Sequence, residues 1–346
     1  MRISFILLCL MVLPTMSYSA TYSAPFWLLG GHMQTIYAAT LASTPEVSYR
    51  RERWELPDGD FVDVDWTDPT NTEQNSPANL PANLPPDLPI VVLFHGLEGN
   101  SQSGYAKALM ASVKAKGWRG VVIHFRGCSG EPNRLPRVYY AGDTPEIQLL
   151  LSRVREHAPQ APIYAAGVSL GANALLKWLG ESGEQAKTII NKAVAISAPM
   201  DLAASATALD TGLNRILYTP RFVDSMRPKA LAMLVRFPGL LDADKIKAAK
   251  TIHDIDNAVT VVLYGAKDAE DYYAKNAAKP WLNQIRLPTL ILNAKNDPFI
   301  PAETLPTAAE VSEFVTLEYP EAGGHVGFSG RDNWLPNRLL EFFQAE

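Results

Sequence analysis

The chain alternates between two hydrophobic rhythms. Short, nearly unbroken apolar runs recur at Ile90-Val91-Val92-Leu93-Phe94, Gly120-Val121-Val122-Ile123-His124-Phe125, Ile163-Tyr164-Ala165-Ala166, Ala193-Val194-Ala195-Ile196-Ser197 and Thr289-Leu290-Ile291-Leu292-Asn293. Runs without polar alternation belong to strands covered on both faces. Between them the spacing turns helical over 105–116, where Gly117 stops the pattern, and over 145–157, where Asp143 or Thr144 stands ready to cap. A further strand at 314–319 and a closing helix at 335–343 complete the series. Strands alternating with helices predict a mostly parallel central sheet with helices on both faces.

Two stretches depart from this rhythm. Residues 48–66 predict two strands about the turn Pro57-Asp58-Gly59-Asp60, and Phe61-Val62-Asp63-Val64-Asp65-Trp66 alternates, so one face is expected buried and the other wet. Residues 199–285 read as mostly helical, most clearly at 221–235 and 243–253. Lying between two sheet strands, they are expected to form an insertion over the C-terminal edge of the sheet, a cap that shapes the substrate entrance. The twice-repeated Pro-Ala-Asn-Leu at 77–84 has neither period and predicts a solvated loop.

The N-terminus admits two readings. Arg2, the apolar run from Ile3 to Pro14 and Ser17-Tyr18-Ser19-Ala20 have the layout of a secretory signal. Alternatively, translation starts at Met16 and the preceding residues are a misassigned extension. The apolar run falls short of the roughly 20 residues a membrane-crossing helix needs. Residues 24–346 are expected to form one domain after this 1–23 extension. The expected location is cytoplasmic, or exported if 1–19 is a working signal peptide.

Composition narrows the function classes. At 47% hydrophobic and 19% charged the chain is globular in type, and its net charge of -5, with no basic run interleaved with aromatics, gives no reason to expect nucleic acid. The two cysteines, Cys9 and Cys128, cannot build a disulfide framework or a cysteine metal site.

Candidate chemistry centres on Gly167-Val168-Ser169-Leu170-Gly171, with a strand before it and the helical Ala172-Asn173-Ala174-Leu175-Leu176-Lys177-Trp178 after it. A serine on a tight strand-to-helix turn presents its hydroxyl outward, and small residues on both sides let strand and helix pack closely. Ser169 is therefore the candidate nucleophile of an α/β-hydrolase fold. A serine hydroxyl needs a base, and the base needs a carboxylate to orient it. Asp297, in Asn296-Asp297-Pro298 after the strand at 289–293, is the candidate acid. His325, in Gly323-Gly324-His325-Val326-Gly327-Phe328 after the last strand, is the candidate base. The amides of Leu170 and of Leu97, the latter in His95-Gly96-Leu97-Glu98-Gly99-Asn100, are the candidate oxyanion donors.

His95, Gly96 and Arg126 are expected to support these loops. Cys128, next to Arg126-Gly127, is a weaker rival nucleophile because no elbow helix follows it. His124 fits a satisfied core histidine, His157 a solvated helix end and His253 the end of a segment in the insertion, and His32 has no acid at a recognisable spacing. No regular cluster of metal-ligand types is visible.

These motifs, together with Trp27-Leu28, Gly31-His32-Met33-Gln34-Thr35, Glu55-Leu56-Pro57-Asp58-Gly59-Asp60-Phe61, Phe125-Arg126-Gly127-Cys128-Ser129-Gly130-Glu131 and Lys267-Asp268-Ala269-Glu270-Asp271-Tyr272-Tyr273, resemble the YheT-like branch of α/β-hydrolases, which is related to the mammalian abhydrolase-domain lipases. The resemblance runs from Ala24 to the C-terminus. It implies a serine hydrolase acting on carboxylic esters, lipid acyl esters among them, with a triad falling on Ser169, Asp297 and His325. Such an enzyme uses no metal or organic cofactor. Its partner is a small-molecule or lipid ester, with transient contact at a lipid surface as an open possibility. Thioester or amide cleavage by the same machinery is one alternative, and a non-catalytic binding protein on the same fold is another.

Overall fold

In the computed structural model, residues 22–69, 84–330 and 333–345 are described. The signal-like segment, apart from its last residues, and most of the Pro-Ala-Asn-Leu spacer lie outside them.

Eight strands form one sheet: β1 (Arg50–Glu55), β2 (Phe61–Thr67), β3 (Ile90–Phe94), β4 (Arg119–Ile123), β5 (Ile163–Val168), β6 (Lys192–Ile196), β7 (Thr289–Leu292) and β8 (Val315–Glu318). Their spatial order is β1-β2-β4-β3-β5-β6-β7-β8. The hairpin β1–β2 adds antiparallel to β4, and every pair from β4 through to β8 is parallel.

The unbroken apolar runs do what their pattern requires. Along β3, Ile90, Val92 and Phe94 enter one core while Val91 and Leu93 enter the other. The first core is closed by α3 (Thr144–His157) and α4 (Leu170–Ser182) through Leu150, Leu151, Leu175 and Trp178. On the opposite face, Leu109 and Met110 of α2 (Gly104–Ala115) and Leu339 and Phe343 of the closing helix, Trp334–Gln344, cover the second. An N-terminal helix, α1 (Gly30–Thr40), precedes the sheet.

β2 corrects one expectation. All seven of its residues are buried, so neither face is wet. Its polar positions are covered by partners supplied from neighbouring strands and loops. Asp63 receives Arg53 at 2.8 Å, and Asp65 receives Arg51 at 2.7 Å, the Ser101 hydroxyl at 2.6 Å and His124 at 2.8 Å. Buried carboxylates survive only with such pairing.

Between β6 and β7 the chain forms α5 (Leu202–Leu209), α6 (Gly212–Leu217), α7 (Thr219–Arg236), α8 (Ala243–Ala248), α9 (Ile252–Ile255), α10 (Val261–Tyr264) and α11 (Ala269–Asn276). The pattern at 243–253, read as one helix, is interrupted. Ala249 turns extended, and Thr251 then opens α9 with a reciprocal capping box to Asp254. Asp143 stands at the cap position of α3 and its carboxylate pairs with Arg137 at 2.9 Å.

Candidate active site

Parallel strands gather loop residues at one edge of the sheet. Leu97 follows β3, Ser169 follows β5, Asp297 follows β7 and His325 follows β8, so four remote segments meet beyond the C-terminal ends of their strands.

Ser169 occupies the turn between β5 and α4 with φ 53° and ψ -119°, a backbone conformation that side chains other than glycine rarely adopt. The turn closes only because its neighbours are glycines. A β-carbon on Gly171 would stand 2.5 Å from the His95 carbonyl oxygen, and one on Gly167 would stand 2.6 Å from Ala172 Cα. The Ser169 amide donates to the Ile196 carbonyl at 2.9 Å and fixes the turn to β6.

Ser169, Asp297 and His325 stand in one line. His325 Nε2 lies 3.0 Å from Ser169 Oγ, and His325 Nδ1 lies 2.8 Å from Asp297 Oδ2. A carboxylate only accepts, so Nδ1 carries the proton and Nε2 is left to accept from the serine hydroxyl. The second oxygen of the buried Asp297 side chain accepts the Phe299 amide at 2.8 Å, and the Phe299 ring packs against the imidazole with centroids 4.3 Å apart.

Leu97 and Leu170 flank the serine. Neither amide donates to another described residue. Gly96 brings the first loop close: a β-carbon there would stand 3.0 Å from Ser169 Cβ. His95 supports this loop from beneath. Its Nε2 accepts the Phe125 amide at 3.0 Å, so Nδ1 must be the protonated nitrogen and donates to the Gly96 carbonyl at 2.7 Å. Complete burial pushes its pKa down to about 3, so the ring is neutral and structural.

Arg126 is buried among carboxylates, with Glu146 at 2.6 Å, Asp58 at 2.9 Å and Asp60 at 3.0 Å. It ties the loop after β4 to the β1–β2 turn and to α3. Removing one partner of such a buried cluster costs about 3–5 kcal/mol. Burial pushes the Cys128 thiol up to about 12, which leaves it protonated and unsuited to nucleophilic attack. His124 is held by Asp65, and His157 Nδ1 donates to the Arg153 carbonyl of its own helix at 2.8 Å while the ring stacks on Trp54. His253 lies between two acids, Asp210 at 2.8 Å and Glu270 at 3.1 Å. Among the described residues no hydroxyl or thiol hydrogen-bonds to its ring. Among the described residues no group of His, Cys, Asp and Glu side chains could hold a metal ion.

The structure adds residues that the sequence left without a role. In α1, the Thr35 hydroxyl accepts the His325 amide at 2.8 Å, and Gln34 Oε1 accepts the Gly323 amide at 2.8 Å and Asn296 Nδ2 at 3.0 Å. The Ser197 hydroxyl accepts the amide of Val326, whose φ of 55° is strained for a β-branched residue. Thus α1 braces both the acid loop and the histidine loop. The visible signal was the segment Gly31-His32-Met33-Gln34-Thr35, whose Gly31 touches the Asn296 carbonyl so closely that a β-carbon would fall 1.8 Å from it.

Two hollows meet at Ser169 and His325. One, of about 570 Å³, runs beneath the helices between β6 and β7 and is lined by Leu202, Leu209, Met226 and Val259. The other, of about 1150 Å³, is a groove beside α1 and α2 that includes Trp27, Tyr37, Tyr105 and Tyr218. Leu97, Glu98, Phe222 and Phe299 also border both.

Residues 89–331 match the family model described as alpha/beta hydrolase fold. The Escherichia coli (strain K12) protein named "Putative esterase YheT" is 36% identical over 312 residues, covering 90% of this chain and 87% of that protein. The Homo sapiens protein named phospholipase ABHD3 is 30% identical over 309 residues, covering 89% of this chain and 73% of its own. Among solved structures, the Pyrococcus furiosus esterase Pf2001 superposes with a TM-score of 0.54 at 14% identity, over 88% of this chain and 98% of that one.

Proposed function

The chain belongs to the α/β-hydrolase family, and from that premise we propose that it is a serine hydrolase cleaving carboxylic esters through an acyl-enzyme on Ser169. The observation that carries this reading is the unbroken line from Asp297 through His325 to the Ser169 hydroxyl.

In this reading Asp297 holds the imidazole in the Nδ1–H form and stabilises its cation. His325 Nε2 takes the Ser169 proton as Oγ attacks the ester carbonyl. The negative oxygen of the tetrahedral intermediate is held by the amides of Leu97 and Leu170, each such donor being worth about 10²–10³ in rate. His325 returns the proton to the leaving alcohol, and the acyl group stays on Ser169. Water, deprotonated by the same nitrogen, then releases the acid. Every proton moves through one imidazole, so the scheme needs no metal or organic cofactor.

The two hollows support a substrate with bulk on both sides of the carbonyl. The apolar cavity beneath α5, α7 and α9 suits an acyl chain, and the groove beside α1 and α2 suits the alcohol portion. Esters of short to medium acyl chains or of acylglycerol type fit this division. The relatives' names, esterase and phospholipase, agree with it. The helices between β6 and β7 serve in this reading as the cap over the acyl cavity.

A panel of acyl esters of graded chain length tests the proposal. Wild type should show a chain-length optimum, and Ser169→Ala should lose about 10⁴-fold or more of kcat. Equal turnover by both proteins would overturn it.

A further inference from the structure

The face that carries the groove entrance is unusually apolar. Phe26 is 90% exposed, Leu29 72%, Leu213 61% and Ile216 73%, with Trp27 and Met33 each 47% exposed beside them. Large apolar side chains normally hide, and a cluster this exposed marks a binding face. The residues come from two places in the chain. Phe26, Leu29 and Met33 lie on α1 and the turn leading into it, and Leu213 and Ile216 lie on α6. His32 joins the two, with its Nδ1 3.1 Å from the Tyr218 hydroxyl and its ring stacked on the Tyr218 ring.

Charge narrows the choice of occupant. Residues 22–45 contain no Asp, Glu, Lys or Arg. On the other side, Arg215 on α6 and Arg221 in the first turn of α7 are exposed, while the nearby acids are engaged elsewhere: Asp210 turns inward to the α9 amides and His253, Asp254 accepts the Lys250 and Thr251 amides, and Asp224 pairs with Arg227. The face is therefore apolar, aromatic at one edge and cationic at the other. Trp27 and Tyr218 also line the groove that opens on Ser169. No described helix is long and apolar enough to cross a membrane, so any lipid contact by these helices is from the surface.

We propose that α6, α1 and the turn before it dock on an anionic phospholipid bilayer, with Phe26, Leu29, Leu213 and Ile216 entering the interface and Arg215 and Arg221 meeting the headgroups. Resting on the ester-hydrolase reading, this places the groove mouth at the lipid surface, so an ester reaches Ser169 without crossing water.

Flotation of the full-length protein with vesicles tests the docking without turnover. Wild type should float with phosphatidylcholine–phosphatidylglycerol vesicles and much less with phosphatidylcholine alone. The double variant L213S/I216S should lose about tenfold or more in partitioning, and R215Q should lose the preference for anionic vesicles. Both should cleave a water-soluble short-chain ester within about twofold of wild type. Ser169→Ala should float like wild type, so failed turnover with intact flotation would strike the catalytic reading alone. Three results would overturn the docking proposal: wild type that floats with neither vesicle, L213S/I216S that floats as well as wild type, or a wild-type dimer in sedimentation that L213S/I216S converts to monomer. The last would assign the face to a second copy of the chain.

Discussion

The Glu98 carboxylate holds the Lys229 ammonium at 2.7 Å and so fastens the loop that carries Leu97 to α7. Glu98 also receives the Ser225 hydroxyl and the Tyr139 hydroxyl, and its own backbone sits at φ 58° with its amide donating to Tyr139 at 2.7 Å. The residue after the candidate oxyanion donor is thus held by both α7 and the loop after β4. Lys229 is about half exposed, so its pair is worth at most about 1 kcal/mol. Lys229→Met should cost about fivefold or less in kcat, whereas Glu98→Ala, which strips every partner, should cost about tenfold or more. Steady-state kinetics on a soluble ester checks this. A change confined to KM would mean that Glu98 shapes the entrance and not the Leu97 amide.

Thr35 offers a second test of positioning. Its hydroxyl accepts from the His325 amide and donates to the Gly31 carbonyl at 2.7 Å. Thr35→Val keeps the shape and leaves a largely buried amide without its acceptor, a loss of about 1–3 kcal/mol. Activity should fall about tenfold or more, and Thr35→Ser should restore it. If Val and Ser variants behave alike, the hydroxyl does not position His325.

The neutral His95 makes stability depend on pH in a defined direction. Its folded pKa, pushed down to about 3 by burial, lies below the ordinary 6.5. The unfolded chain therefore binds the extra proton first. This contribution is fully present above the ordinary value and is lost as pH falls toward the folded one, with a slope of up to about 1.4 kcal/mol per pH unit. His95→Asn should be less stable near neutrality, by about 1–3 kcal/mol, because the Phe125 amide loses its acceptor. It should also show a flatter decline between about pH 6 and pH 4. Denaturant titrations across that range decide; parallel declines would contradict the assignment.

How far the sequence carried depended on whether a residue's role was local. The elbow at Ser169 is legible because a strand, a glycine pair and a helix are adjacent in the chain. Asp297 and His325 were placed by their positions after late strands, and the fold brings them to within hydrogen-bond reach of Ser169 in a line. Gln34 and Thr35 carried no such signal, because their partners lie more than 260 residues away and the contacts are to backbone amides. The clamp between Glu98 and Lys229 was hidden because the two side chains lie on separate elements that only the fold brings together. β2 misled because alternation reports polarity, not exposure, and its aspartates are covered by Arg51, Arg53, Ser101 and His124. The break at Ala249 was missed because Lys250-Thr251 does not disturb a helical hydrophobic pattern.

Covalent labelling with a fluorophosphonate, followed by peptide mass mapping, tests the central claim most directly. Wild type should take up one label on the peptide carrying Ser169, and His325→Ala should label about 10²-fold or more slowly. Ser169→Ala should neither label nor turn over ester. A label mapped to another residue, or ester turnover that survives Ser169→Ala, would contradict the account.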